Sequence, residues 1–214
     1  MTLRKITHPY YCERMKAIQG ASKETYGLLL DIGCASGHLT KLASQNTIFA
    51  VGMDIDVDTL KKAEKIDKIG YVMADAHRMP YREAIFDCAI CFDVIEHMQN
   101  EEVFLQEVRR ILKKDGALFL TTLNRNRLTT LLRKLVGKPR RYPHRIGKGF
   151  HVREYTKREL ESLLLSHGFR IEKSYGFFLG LTFARGSHSI GFSRFPKILE
   201  GYCLGLFAKA RKQV

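Results

Sequence analysis

No run of about 18 uninterrupted apolar residues occurs in the 214-residue sequence, so nothing in it reads as a bilayer-spanning helix. Residues 1–16 lack the apolar middle of a secretory leader. The expectation is a cytoplasmic, soluble chain, at most peripheral on the inner face of the membrane. Neither a repeat period nor a low-complexity tract is present, which argues against solenoids and disordered arrays. Cysteine is sparse and odd in number. The five residues Cys12, Cys34, Cys88, Cys91 and Cys203 do not form a disulfide framework, and a reducing compartment fits them. Cys88 and Cys91 do make a CxxC, but inside "FDCAICFD", a strand-like run, that spacing sends the two side chains to opposite faces. No second pair completes a four-ligand zinc site, so two buried thiols are expected.

What is present points to one folded domain: the composition is 45% hydrophobic and the length suffices for a single sizeable core. The net charge of +14 is uneven. Residues 1–124 carry 16 Lys/Arg against 17 Asp/Glu, residues 125–173 carry 14 against 4, and residues 174–214 carry 6 against 1. The last 90 residues therefore either meet negative charge or present a solvated cationic face.

Strand-like and helix-like segments alternate from residue 27 onward, which predicts an α/β fold with a parallel sheet and helices on both faces. "YGLLLDIG" is a continuous apolar run of the kind a strand buried on both faces requires. "GHLTKLASQ" reads as a helix, "TIFAVGMDID" as a strand, "VDTLKKAEKI" as a helix, and "YVMADA" and "IFDCAICFD" as the third and fourth strands. "NEEVFLQEVRRILKKDG" is a well-signed helix, with Asn100 to cap it, Glu101 and Glu102 at its positive end, Lys113 and Lys114 at its negative end, and Gly116 after it. "ALFLTTLN" is the fifth strand. Thr156 and Glu159 have capping-box spacing for a helix that stops at "HGF". "FRIEKSYG" and "CLGLFAKARK" read as closing strands.

The turn after the first strand, Gly33-Cys34-Ala35-Ser36-Gly37, begins a helix, where free backbone N–H groups favour an anionic ligand group. A phosphate-binding P-loop needs Lys and Ser/Thr after its last glycine, and here His38 and Leu39 follow. A dinucleotide turn needs a middle glycine to admit a pyrophosphate, and Ala35 stands there. A carboxylate at the end of the second strand, Asp54, suits a ribose diol in either case. The turn suits a ligand with a ribose and no pyrophosphate.

"LLLDIGCASGHLT" resembles the first motif of the class I S-adenosylmethionine-dependent methyltransferases, of the type 11, ubiquinone/menaquinone-methyltransferase-like group. "VGMDID", "YVMADAHRMPY" and "FDCAICFDVIEHM" are similar to the ribose, adenine and fourth-strand motifs, and "LQEVRRILKKDGALFLTTLN" to the helix and strand that follow. The resemblance covers roughly residues 25–175 and implies a Rossmann-like, mostly parallel seven-stranded sheet in one domain: an N-terminal helical lid over 1–26, a cofactor-binding core over 27–124, a basic substrate-side insertion over 125–155, and a closing helix and strands over 156–214. It implies S-adenosylmethionine as cofactor, with Asp31, Gly33, Cys34 and Gly37 around the methionine part, Asp54 on the ribose hydroxyls, Asp75 on the adenine amine, Ile55 and Ala76 flanking the ring, and Phe92 against the methionine moiety.

Methyl transfer from a sulfonium is an in-line displacement whose cost is largely positioning, so a general base is optional. The candidates are Asp93, Glu96 and His97 in "FDVIEH" and His151 in "HVREYT", with His97 and His151 foremost. Asp93-x-x-Glu96-His97 resembles the Glu-x-x-Glu-His of the ubiquinone-pathway O-methyltransferases, which would imply a divalent ion. The Asp for the first Glu shortens the reach, so Asp93, Glu96 and His97 are weak metal candidates and the leading expectation is no metal.

Residues 125–150, "RNRLTTLLRKLVGKPRRYPHRIGKGF", contain nine Lys/Arg and no acid. Leu128, Leu131, Leu132, Leu135 and Val136 form one apolar stripe at helical spacing. An apolar face bordered by cations suits a membrane interface, and the aromatic-rich "YGFFLGLTF" and "IGFSRF" add exposed-apolar candidates. The expected acceptor is a small molecule or lipid, anionic or held in an anionic membrane surface, methylated on oxygen or carbon. The stripe packing on the core is the competing structural reading. An RNA substrate met by the basic lobe is the functional alternative; no DNA is expected, and a non-catalytic scaffold is a third reading.

Overall fold

The computed structural model describes residues 9–137, 151–183 and 188–213. The chain runs α1 (Pro9–Ser22), β1 (Leu28–Ile32), α2 (His38–Ala43), β2 (Phe49–Asp54), α3 (Val57–Leu60), β3 (Ile69–Met73), β4 (Phe86–Phe92), α4 (Glu101–Ile111) and β5 (Leu112–Leu123). It continues through α5 (Leu128–Leu135), α6 (Lys157–Ser166), β6 (Phe169–Phe177), β7 (Leu179–Phe183), β8 (His188–Phe192) and β9 (Gly205–Lys212).

Seven strands form one sheet in the order β3-β2-β1-β4-β5-β9-β6. β1 to β5 are mutually parallel, while β9 lies antiparallel between β5 and β6. This is the sheet expected of the alternating pattern, in the Rossmann-like, mostly parallel, seven-stranded form that the resemblance implies. Two apolar layers cover it. Leu30, Ala89 and Cys91 face α4 and α6, whereas Leu29, Cys88 and Ile90 face α1 and α2. The two cysteines of the CxxC are fully buried free thiols in opposite layers, as period-two alternation requires. Phe86 shares its layer with Ala89, and the β4–β5 register shifts between Phe86 and Cys88.

The cap signals hold. Asn100 Oδ1 accepts from the backbone N–H groups of Glu102 and Val103, both at 3.1 Å. Thr156 and Glu159 complete their capping box. Three expectations are corrected. α4 ends at Ile111, so Arg109 and Arg110, not Lys113 and Lys114, occupy its last turn. Leu112 is fully buried and pairs with Phe86, which extends the chain before a residue at positive φ, Asp115 (56°), and Gly116 turn it along β4. The segment "VDTLKKAEKI" is helical only over Val57–Leu60, because it has no buried face to reward further turns. The hairpin β7–β8 falls in a region where no strand pair was expected.

α1, in the stretch expected to be a lid, is packed on the sheet through Ala17, Ile18 and Ala21. Part of the basic insertion, residues 138–150 with "RRYPHR", lies outside the described residues. No helix among the described residues is long and apolar enough to cross a membrane.

Candidate functional site

The glycine turn is stapled to the neighbouring strand. Gly33 N–H and Cys34 N–H both donate to the carbonyl of Met53, at 2.7 and 3.0 Å. Gly33 has φ 72°, and a Cβ there would sit 2.4 Å from Val94 Cγ2, so the end of β1 can approach the β4 loop only as glycine. Gly37, with φ 74°, opens α2; a Cβ there would meet Tyr71 Oη at 2.2 Å. Tyr71 on β3, the first residue of "YVMADAHRMPY" but given no role there, therefore closes the turn. Cys34 is buried, and burial holds its thiol well above the usual range.

Three carboxylates follow along the carboxyl ends of adjacent strands. Asp31 is 2% exposed, accepts from Thr40 Oγ1 at 2.5 Å, and is pushed up to about 7 by burial, with the nearby Asp54 adding to the rise. Among the described residues no cation pairs with this buried acid. Asp54 Oδ2 accepts from Ala35 N–H at 2.8 Å and its Oδ1 from Asp56 N–H at 2.9 Å. Each carboxylate oxygen has two acceptor sites, so one per oxygen remains for a pair of hydroxyls. Asp75 Oδ1 accepts from His77 N–H at 2.9 Å and lies 2.8 Å from His77 Nδ1. Asn100 N–H donates to His77 Nε2, which assigns the ring proton to Nδ1. The His77 backbone bond holds Asp75 below its ordinary value. Ala76 is half-buried, Ile55 is exposed, and Phe92 is buried as the last residue of β4.

A second polar cluster follows β4. Asp93, at φ 58°, accepts from Thr121 Oγ1 at 2.8 Å and pairs with Arg14 Nε of α1 at 2.6 Å. Glu96 is buried, accepts from Thr122 Oγ1 at 2.8 Å, and burial followed by the Asp93 charge pushes it up to about 8. Its backbone carbonyl accepts from Val152 N–H at 2.8 Å, drawing the 151–154 segment in. The His97 and His151 rings meet edge to face at 4.9 Å. Ligand atoms of Glu96, His97 and His151 all lie within 4.8 Å of one another. Of the three weak metal candidates, Asp93 is held outside this trio by Arg14 and Thr121, and His151 stands in its place. His151 Nδ1 lies 3.2 Å from Glu154 Oε1, and the buried Glu154 is gripped through both oxygens by Arg127, with Nη2 at 2.9 Å from Oε1. Sequence reasoning did not reach Arg14, Arg127 or Glu154; only the spacing of three between His151 and Glu154 could have hinted at one of them.

The mostly parallel sheet in this order, with one antiparallel strand, is the arrangement found in solved S-adenosylmethionine-dependent methyltransferases, and residues 30–120 of the chain carry a methyltransferase domain. Residues 30–120 match the family model described as "Methyltransferase domain". The mitochondrial ubiquinone biosynthesis O-methyltransferase of Rattus norvegicus is 30% identical over 161 residues, covering 69% of this chain and 46% of that protein. The chain thus spans somewhat under half the length of the mammalian relatives of that name. An S-adenosylmethionine-dependent methyltransferase from Mesorhizobium loti shares the fold with a TM-score of 0.69 at 20% identity, covering 92% of this chain and 96% of that one. Another from Methanosarcina mazei does so with a TM-score of 0.62 at 22% identity, over 87% and 92%.

Proposed function

We propose that this chain transfers the methyl group of S-adenosylmethionine to an oxygen or carbon of a small, apolar or lipid-like acceptor bound over the carboxyl ends of the strands. The observation that carries the cofactor half is the acceptor set at those ends. The donors of S-adenosylmethionine are an ammonium, a ribose diol and an adenine amine, and Asp31, Asp54 and Asp75 offer them one carboxylate each. Asp31 in particular is a buried acid that an ammonium would neutralise. Gly33, Cys34 and Gly37 shape the methionine end, Ile55 and Ala76 flank the adenine, and Phe92 backs the sulfonium.

For the acceptor half, the chain's own groups hold and deprotonate. Glu154, paired with Arg127, takes the Nδ1 proton of His151 as a hydrogen bond and leaves Nε2 to accept a proton from an acceptor hydroxyl. His97 packs on that ring and fixes its plane. Similarity to ubiquinone O-methyltransferases supports an apolar phenolic class of acceptor. A second reading has its own observation, the convergence of Glu96, His97 and His151. Two imidazoles and a carboxylate are a donor set that fits a first-row divalent cation, which when bound would polarise an acceptor oxygen.

Thermal shift decides the cofactor: S-adenosylhomocysteine should raise the melting temperature and NAD should not, and no shift with either removes the reading. Transfer of labelled methyl from the cofactor into fractionated lipid, small-molecule and RNA extracts decides the acceptor. Label in the lipid or small-molecule fraction is expected; label in RNA alone would turn the proposal over to the basic lobe as an RNA surface. Activity that survives EDTA removes the metal reading.

A further inference from the structure

The hairpin β7–β8 lays Gly180 and Gly191 inward and turns Ile190 and Phe192 outward, while Leu179 at its start is buried. Gly180 and Gly191 oppose each other across the two strands, and a Cβ on either would come within 2.9 Å of the Phe178 ring. Phe178 is itself 1% exposed, so the glycine face is the one laid on the core. Strand alternation sends the flanking positions the other way, and there Ile190 is 73% and Phe192 69% exposed. No folding requirement explains two large apolar side chains on the solvent side of a pair of glycines.

This face does not stand alone. β7 packs beside α5, and none of the residues of α5 is buried. Leu132, Leu135 and Val136 at its end are 48, 80 and 69% exposed, so the amphipathic stripe does not pack wholly on the core. Arg133, Lys134, Arg194 and Lys197 border the apolar residues and are exposed. Over residues 125–137 and 179–202 the described residues include one acid, Glu200, and it is tied to Lys157 at 2.9 Å. α5 follows β5 and the hairpin follows β6, and these strands run in the same direction. Both elements therefore rise from the sheet edge that carries Asp54, Phe92 and His97.

We propose that α5 and the β7–β8 hairpin form one docking face for an anionic lipid surface, with Ile190, Phe192, Leu132 and Leu135 entering the headgroup and acyl boundary and the four cations meeting the headgroups. The charge selects this occupant. Apolar side chains ringed by cations of one sign complement a surface that is apolar inside and negative outside. The position gives it a use, since an acceptor dissolved in lipid would reach the strand ends without crossing water. That use, though not the docking itself, rests on the methyl-transfer reading above.

The chain contains no tryptophan, so Phe192→Trp supplies a fluorophore whose emission reports this one site. With vesicles of phosphatidylcholine and phosphatidylglycerol mixed one to one, its emission should shift to the blue, and with phosphatidylcholine alone it should shift little. The double variant Ile190→Glu, Phe192→Glu in the full chain should bind the mixed vesicles at least about tenfold more weakly in sedimentation, the loss expected for removing inserted apolar side chains. Its S-adenosylhomocysteine melting shift should be unchanged, showing that the fold is intact. Absence of vesicle binding, binding without a blue shift, or binding unaffected by the double variant would overturn the proposal. A blue shift without vesicles that grows with protein concentration would also overturn it, by assigning the face to a second copy of the chain. The two readings fail separately: vesicle insertion with no labelled lipid product removes the acceptor reading alone, and labelled product from detergent-dispersed lipid without insertion removes the docking alone.

Discussion

Replacing Asp31 with asparagine tests whether the carboxylate beneath the glycine turn is an uncompensated buried acid. Its carboxyl is raised from 3.8 to about 7, chiefly by burial, and the bond from Thr40 does not offset this. The sign follows from proton binding. Between those two values the folded chain holds a proton that the unfolded chain has released, so stability conferred by this group is complete below about pH 4 and is lost as pH rises through about 7. A displacement of about three units corresponds to roughly 4 kcal/mol at most. The asparagine side chain is close to isosteric, keeps an acceptor for Thr40, and does not titrate. The stability of the wild type minus that of Asp31→Asn should therefore fall by up to roughly 4 kcal/mol between about pH 4 and pH 7 and stay level above that. Urea unfolding of both proteins across that range, with linear extrapolation, measures it. Subtracting the variant matters because Asp75, Glu107 and Glu172, whose carboxyls are held low, push the pH dependence of the whole chain the other way. S-adenosylhomocysteine carries the test into function: if its ammonium settles beside Asp31, binding near pH 6 must release a proton, visible as buffer-dependent heat in calorimetry. A stability gap that does not change with pH, together with no proton release, would refute both the buried-acid account and the place assigned to the ammonium.

Other perturbations read other parts of the site. Gly33→Ala adds a Cβ 2.4 Å from Val94 at a positive φ; chemical unfolding should show a loss of at least about 2 kcal/mol, with loss of the cofactor-induced melting shift. Asp54→Asn leaves one of the amides of Ala35 and Asp56 without its acceptor and removes charge from the ribose position; calorimetry should show S-adenosylhomocysteine binding at least about tenfold weaker in a folded protein. Glu154→Gln removes the counter-charge of the buried Arg127 guanidinium, so unfolding should show a loss of roughly 3–5 kcal/mol, whereas replacing Arg127 and Glu154 together with apolar residues should recover most of it. In that rescued double variant His151 has lost its orienting partner, so methyl transfer should stay low although stability returns.

The sheet was readable because β1, β2 and β4 are short apolar runs closed by an acid or a glycine, a pattern that burial on both faces imposes on the residues themselves. Caps were readable for the same local reason: Asn100 and Thr156 act within three residues of their partners. Helix length was not. Whether α4 stops at Ile111 or runs on through Lys114 depends on Leu112 finding Phe86 of β4, a contact with no local signature. The second cluster was half readable for that reason too. His97 and His151 carry titratable groups that sequence reasoning picks out, but their meeting depends on the Val152 N–H reaching back to Glu96, and on a buried Arg127–Glu154 pair whose members look like surface charges in the sequence.

The same distinction explains why "YGFFLGLTF" announces apolar side chains but not where they point. Alternation along a strand fixes only that neighbours face opposite ways; which face is inside is set by what the strand lies on. Here the answer is Phe178, whose ring tolerates nothing larger than Gly180 and Gly191 above it. Once the glycines are committed to the core, Ile190 and Phe192 have no inward choice left. The direction of that face is thus a consequence of the ring beneath it, whereas its apolar character is not. Its persistence beside a cationic helix, at the edge of the sheet where the acceptor is expected, is what links the fold's one unexpected element to the question of what the chain methylates.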